Sequence, residues 1–379
     1  MNKEIKTVAA ASLLSVSGSI VYLISPIIIG SAMDSLKFNS SESGYMLSFY
    51  FAGYTLISAS AIYWLPKINS RIVAFYATIS FVISLLIAAI FTNYTIILIM
   101  MLISGAGAGI LYGLSIAVIA ETDQPDKNYG IALASQLIFG SILLFLGPSL
   151  IIPTWGLSGL FIGTAIFVAF IGACLPWMPA QLEQSAIEGE SNILNTTNVT
   201  ALFAIAALFI WFTGLSAIYA FVERIGSESG IDSLMIGIIL SFTIITGVSG
   251  ALSATFFGKE ISKLRQHIFS SIGILVAINL LISVPGLYRY FIAICLLTYF
   301  WNLWLAFFLG TIAEIDTGNR YPMLTTVALG LGATFGPGIA GSLVKDQTFD
   351  SLFIFSNLMI AMSLIMIIYP VIIKNRSMT

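Results

Sequence analysis

Charge is what this chain has least of. Only 8% of its 379 residues are Asp, Glu, Lys or Arg, whereas 58% are Ala, Val, Ile, Leu, Met, Phe, Trp, Tyr or Cys. An average soluble domain is about 25% charged and about 45–50% apolar. So few charges cannot solvate a globule of this size, which excludes a soluble enzyme. A disordered chain, which needs low hydrophobicity and high charge, is excluded as well. Fifteen basic residues against seventeen acidic ones leave no cationic stripe for nucleic acid. Histidine occurs once, at His267, and cysteine twice, at Cys174 and Cys295. Both cysteines fall in apolar stretches, where cysteine behaves as a small buried residue. One histidine and no cysteine pair cannot supply the usual metal-ligand spacings, so no metal and no cofactor is expected.

What the chain has is long apolar runs. A bilayer core needs about 20 apolar residues per helix, and breaks at charged and turn-rich positions divide the sequence into twelve such runs: 8–31, 44–64, 71–91, 95–120, 129–150, 155–178, 200–222, 233–256, 268–285, 289–313, 322–344 and 350–373. The runs are too long for strands and lack the ten-residue alternation of a membrane barrel. The first has no good small-x-small cleavage site, so it reads as a helix rather than a signal peptide. The expected fold is an all-α membrane protein of twelve transmembrane helices. Basic residues then set its orientation. Lys3, Lys6, Lys67, Arg71, Lys127, Lys259, Lys263, Arg265, Arg320, Lys374 and Arg376 share one side, and Lys37, Arg224, Arg289 and Lys345 share the other. Both termini are therefore expected in the cytoplasm.

The polar stretch 179–199 carries Glu183, Glu188 and Glu190 and no basic residue. It reads as a cytoplasmic linker between two six-helix bundles, 1–178 and 200–379. The two halves echo each other. Ile119-Ala120-Glu121-Thr122-Asp123 matches Ile312-Ala313-Glu314-Ile315-Asp316, Gly147-Pro148 matches Gly336-Pro337, and Ser41-Glu42-Ser43-Gly44 matches Ser227-Glu228-Ser229-Gly230, at offsets of 193, 189 and 186. The basic break Lys67…Arg71 matches Lys259…Arg265. Four matches in one order point to a tandem duplication.

Parallel six-helix repeats around a midplane site describe one transporter architecture, and the chain resembles the major facilitator superfamily over essentially its whole length. The family's basic loop between helices 2 and 3 is only partly kept, as Lys67 and Arg71 without the usual Gly and Asp. The second copy, Gly258 to Arg265, keeps the Gly and its positive charges. The glycine run Gly105-Ala106-Gly107-Ala108-Gly109 keeps the packing part of a helix 4 motif, while its Arg position is Met101. Gly140 and Gly147-Pro148 partly match the Gly-Pro stretch of exporters, and Gly336-Pro337 closes a fuller copy. Each Gly-Pro pair is expected to make a bend and a close-contact face. The resemblance implies a latching role for the basic loops. It implies that helices 1, 4, 7 and 10 line a cavity, and that Glu121 and Glu314 are either gate acids or plain surface acids.

Ionisable groups inside a span are costly and mark function, and none lies near the centre of any run. That argues against a strongly charged solute. Glu223 and Arg224 close run seven, either as an interfacial anchor pair or with Glu223 as a titratable group at the cavity mouth. The candidate binding residues are polar and aromatic. On helix 1 they are Ser19 and Tyr22, on helix 2 Tyr54, on helix 4 Tyr112, and on helix 5 Gln136. Helix 7 supplies Trp211 and Tyr219, and helix 10 supplies Tyr299, Trp301, Asn302 and Trp304. Apolar pockets with a few placed polar groups suit small molecules, and Asn302 needs a hydrogen-bond partner in hydrocarbon, which the solute or Gln136 could supply.

The expectation is a monomeric, multi-pass secondary transporter of the inner (plasma) membrane. It moves a small, largely uncharged aromatic or amphipathic solute by rocking of the bundles. The resemblance to drug and metabolite exporters favours efflux by proton antiport. Uptake symport or uniport is the alternative. More remote readings are a non-transporting receptor, which usually carries a longer soluble tail than Lys374–Thr379, and a polytopic membrane enzyme, for which no catalytic constellation is present.

Overall fold

In the computed structural model the described residues are 3–64, 68–181, 199–257, 260–315, 322–345 and 348–377. They are helical throughout apart from turns and one isolated bridge between Lys345 and Thr348. The chain divides into two compact units, residues 1–188 and 189–379.

The first unit contains α1 (Lys3–Leu23), α2 (Ser25–Ser35), α3 (Ser40–Trp64), α4 (Ser70–Ile90), α5 (Tyr94–Ala120), α6 (Pro125–Leu146) and α7 (Ile152–Gly172). The expected first span is therefore two helices. Pro26 stands in the first turn of α2, and its ring would clash with the Tyr22 carbonyl of a continuous helix. Helix α3 starts earlier than expected because Asn39 and Glu42 form a capping box. Asn39 N donates to Glu42 Oε2, and Glu42 N donates to Asn39 Oδ1, each at 2.9 Å. Asn69 and Asn93 cap α4 and α5 through their side chains. The expected bend at Gly147-Pro148 is a π-helical turn, Gly147–Ile151. The fifth and sixth expected spans separate at Gly156, whose φ of 56° turns the chain back and suits a residue without Cβ.

The second unit contains α8 (Val199–Glu228), α9 (Ser233–Phe257), α10 (Lys263–Leu280), α11 (Leu287–Ile315), α12 (Pro322–Leu343) and α13 (Asp350–Ser377). Pro337 lies inside α12 without a π turn, so the two Gly-Pro copies bend their helices differently. One proposed sequence match fails on structure. Ser41-Glu42-Ser43-Gly44 lies in the first turn of α3, whereas Ser227-Glu228-Ser229-Gly230 ends α8, with Gly230 at φ 76°. The cap of α9 is instead Asp232, whose Oδ2 accepts from Leu234 N at 3.0 Å.

The two units share part of one packing plan. In the first unit α5 packs on α1, α3 and α4, α1 on α6, and α4 on α7. In the second, α11 packs on α9 and α10, α8 on α12, and α10 on α13. Small residues make these approaches possible. A Cβ on Gly105 would meet the Tyr50 carbonyl, and one on Gly109 would lie 2.7 Å from the Tyr54 carbonyl, so both glycines serve the α3–α5 contact. Gly107 faces α4, with the Ala77 carbonyl at 2.9 Å. Gly250 stands against the Tyr299 carbonyl in the matching α9–α11 contact. Among the described residues nine stretches are long and apolar enough to cross a membrane, and one of them, Lys127–Trp177, includes the reversal at Gly156.

Candidate solute-binding faces

In the first unit, α3, α5 and α6 bring together three of the expected residues. Tyr54 and Tyr112 have ring centroids 6.0 Å apart, and the Gln136 amide stands near the Tyr112 hydroxyl. The Tyr112 backbone can stand this close to α1 because position 18 is glycine. A Cβ there would lie 2.5 Å from Tyr112 Cβ. Tyr22 meets Phe51 edge-on at 5.7 Å. Ser19 turns its hydroxyl back to the Ser15 carbonyl at 2.9 Å, so its own helix already takes its proton.

The second unit gathers a larger aromatic cluster. Trp211 of α8 and Trp304 of α11 stack with centroids 4.1 Å apart and planes 13° from parallel. Phe308 stacks on Trp304 at 5.1 Å. Both indoles are fully buried, so these two residues form the interior of the cluster. Half-buried Trp301 meets Tyr219 at 5.3 Å and Phe212 at 6.1 Å, both edge-on. Edge-to-face pairs of this kind contribute about 0.5–1.5 kcal/mol beyond burial. Tyr299 and Asn302 face a different neighbour. Tyr299 donates its hydroxyl to Ser253 Oγ at 2.9 Å, Thr246 and Thr298 hydroxyls lie 2.7 Å apart, and the Asn302 amide sits over Gly247. Asn302 Nδ2 donates to the Thr298 carbonyl at 2.9 Å. The expected partner from solute or Gln136 is thus replaced, for the donor end, by its own helix. The sequence-predicted residues separate into a half-buried aromatic edge, a stacked interior and a polar seam between α9 and α11.

The residues expected at gates also separate. Arg71 Nε donates to the Met178 carbonyl. Around it Thr7 Oγ1 donates to the Trp177 carbonyl at 3.1 Å, and Ser70 donates through Oγ to Pro179 O and through N to Ala180 O. Four successive carbonyls at the end of the sixth span are held by α1 and α4, so Arg71 is a clamp on that segment. Glu121 lines a cavity of about 350 Å³ with Glu4, Thr7, Thr122 and Asp123. Arg265 is exposed on the first turn of α10. Glu223 and Arg224 are buried against the protein, one turn before the end of α8 at Glu228. Arg224 pairs with Glu228 at 3.2 Å, and Tyr290, which feels the Glu223 charge, donates its hydroxyl to the Val222 carbonyl at 2.8 Å. Lys67 and the Glu314 side chain lie outside the described residues.

The glycine-proline faces meet the first helix of each unit. Gly140 and Gly147 of the first unit abut Leu23 and Ile27, with would-be Cβ distances of 2.7 and 2.6 Å. Gly332 and Gly336 of α12 abut Phe212, Thr213 and Ser216, and Ser216 Oγ donates to the Gly332 carbonyl at 2.9 Å. One residue of interest was not among the expected site residues. His267 stands edge-on to Trp304 at 5.5 Å. It stands where the basic start of α10, Lys263 to Gln266, gives way to its apolar run, and metal-ligand spacing alone does not read it.

Known proteins agree with this architecture. A D-xylose–proton symporter structure superposes with a TM-score of 0.79 at 14% identity, covering 96% of this chain and 97% of the other. The nucleoside transporter NupG gives a TM-score of 0.70 at 15% identity, covering 98% of each chain. At these identities the likeness is one of fold. The uncharacterized MFS-type transporter YceJ of Bacillus subtilis (strain 168) is 24% identical over 379 residues, covering 96% of this chain and 95% of the relative. The sequence pattern of the Major Facilitator Superfamily matches residues 10–316, and the chain, a multi-pass membrane protein, belongs to that family of transporters.

Proposed function

We propose that this transporter moves a small, largely uncharged aromatic or amphipathic organic solute across the inner (plasma) membrane, by alternating access of its two units, as an exporter driven by proton antiport. The observation that carries the solute class is the pairing of aromatic edges with neutral hydrogen-bonding groups. These are Tyr54, Tyr112 and Gln136 in the first unit and Tyr219 with Trp301 in the second. Aromatic faces and a few placed polar groups recognise neutral ring compounds. No charge stands near the middle of the apolar runs to compensate an ionic solute. Twelve crossings with both termini in the cytoplasm, and a monomer, complete the reading.

Export rests on the Gly-Pro stretch that resembles the exporters. A second reading, uptake by symport or uniport of a small metabolite, is favoured by the symporter and nucleoside transporters that share the fold. A thermal-shift screen of the purified protein against neutral aromatic, sugar-like and charged compounds tests the solute class. Neutral ring compounds should raise the melting temperature of wild type but not of Trp301→Ala. Stabilisation by charged compounds alone would overturn the reading. Flux of the best compound in proteoliposomes, under a pH gradient imposed in either direction, then separates antiport from symport.

A further inference from the structure

His267 is a buried ionisable group that the reading above leaves unused. It is fully buried in α10, with Nε2 3.0 Å from Thr311 Oγ1. The Thr311 hydroxyl donates its hydrogen to the Phe307 carbonyl at 3.0 Å. A hydroxyl has one hydrogen, so Thr311 must accept from the imidazole. Nε2 therefore carries the proton, and Nδ1 is a bare acceptor. Nδ1 is sealed from solvent and has no hydrogen-bond partner among the described residues, an arrangement that is uncommon for buried polar atoms.

Among the described residues no acid faces the imidazole to compensate a second proton. Within its own helix, the Lys263 ammonium stands one turn before the imidazole and acts on it, and Arg265 is exposed. From α11 come Trp304 and Thr311, and the acid Glu314 is three residues further on, its side chain outside the described residues. Helix α13 has no Asp, Glu, Lys or Arg between Asp350 and Lys374, and α8 has none before Glu223. Trp304 in turn stacks on Trp211. The imidazole thus joins α10 to a ring column that runs through α11 to α8.

We propose that His267 is an acid-sensitive latch: neutral, it fits the packed α8–α10–α11 core, and proton uptake at Nδ1 loosens that core. An imidazolium there would put an unpaired N–H and a full charge among apolar rings, beside an ammonium, and opening to water relieves both. The sign follows from linkage. The loosened state binds the proton more readily than the packed one, so the packed state has its full advantage above the ordinary imidazole value of about 6.5 and loses it as pH falls below. At pH 5 the packed-to-loosened ratio should be about thirtyfold lower than at pH 8. Helices α8 and α11 also carry Tyr219 and Trp301. If the proposed solute face is right, the latch reaches it; the latch itself does not depend on that reading.

The test is acrylamide quenching of tryptophan fluorescence in the purified full-length protein, with protons as the only ligand. Gln in place of His267 keeps a donor for Thr311 but cannot titrate. Wild type should gain quenching reversibly between pH 8 and pH 5, and His267→Gln should not. A flat wild-type response, or an equal rise in His267→Gln, would overturn the latch. Should that variant fail to fold, exchange of the imidazole C2 hydrogen in wild type decides, because the chain has a single histidine. Strong protection relative to free histidine at pH 8, lost at pH 5, supports the latch. Equal protection at both values refutes it.

Discussion

Two glycines on one helix should respond oppositely to the same substitution. Gly105 and Gly113 both lie in α5. A Cβ on Gly105 falls well inside van der Waals contact with the carbonyl oxygen and carbon of Tyr50, whereas a Cβ on Gly113 meets nothing within 4 Å. The obstruction at Gly105 is α3 backbone, which has no rotamer to change, so the helices must separate along the contact that Gly53 makes from the other side. Overpacking of this kind costs typically 1–3 kcal/mol, occasionally more. Alanine's helix propensity returns about 0.8–1.0 kcal/mol at either site. Gly105→Ala should therefore lose up to about 2 kcal/mol, occasionally more, and Gly113→Ala should be neutral or gain up to about 1 kcal/mol. Thermal unfolding of the two variants in one detergent measures the difference. Each kcal/mol corresponds to roughly 2–4 °C for a unit of this size. If both variants melt together, or Gly105→Ala melts above wild type, backbone contact through Gly105 is not what sets the α3–α5 distance.

The remaining predictions concern the clamp and the polar seam. Arg71→Gln removes a hydrogen bond from a charged donor, worth about 1.5–3 kcal/mol at a buried site and less at this exposed one. Amide exchange across residues 175–181 should quicken by about tenfold while solute affinity holds; unchanged exchange would mean that Ser70 and Thr7 suffice. Asn302→Ala and Trp301→Ala should differ in kind. The first frees Gly247 of its neighbour and should lower the melting temperature with solute affinity retained, and the second should lower solute affinity, with some loss of melting temperature from its two ring contacts as well. Equal loss of affinity in both would return Asn302 to the binding face.

Much of the helix order was legible because apolar length is a coarse and robust signal. The breaks at 64–71, 91–95 and 120–129 fall where Asn caps and Pro125 stop or start helices. The errors have local causes. Pro26 was hidden inside a run whose hydrophobicity is continuous, and hydropathy is blind to a missing N–H. The Asn39–Glu42 box extended α3 by four residues into sequence that looked like loop. Ser-Glu-Ser-Gly at 41–44 and 227–230 is one string with two meanings, because neighbours decide whether its acid caps a start or pairs with Arg224 at an end. The candidate site was legible as a set of residue types and not as an arrangement. The family resemblance puts Trp211, Trp301, Asn302 and Trp304 on helices expected to line a cavity. It does not say that Asn302 turns its amide back on Thr298, or that two indoles spend their faces on each other.

The same limit explains why the duplicated halves are not mechanically equal. Gly18 and Gly214 stand at like depths in the first helix of each unit. Gly18 admits α5, with Ala108 O and Tyr112 Cβ at 3.0 and 2.5 Å from its would-be Cβ. Gly214 instead admits α13, with Met359 Cβ at 2.6 Å and Ser356 O at 3.2 Å. In the second unit rings fill the place that a glycine contact fills in the first, since α8 meets α11 through Trp211 on Trp304 and Tyr219 and Phe212 on Trp301. A glycine contact brings backbone to backbone, and a small shift there meets hard repulsion. Ring pairs prefer offset-stacked or edge-to-face arrangements, so α8 meets α11 through side chains where α1 meets α5 through backbone. The chain's single histidine stands beside the same rings, edge-on to Trp304.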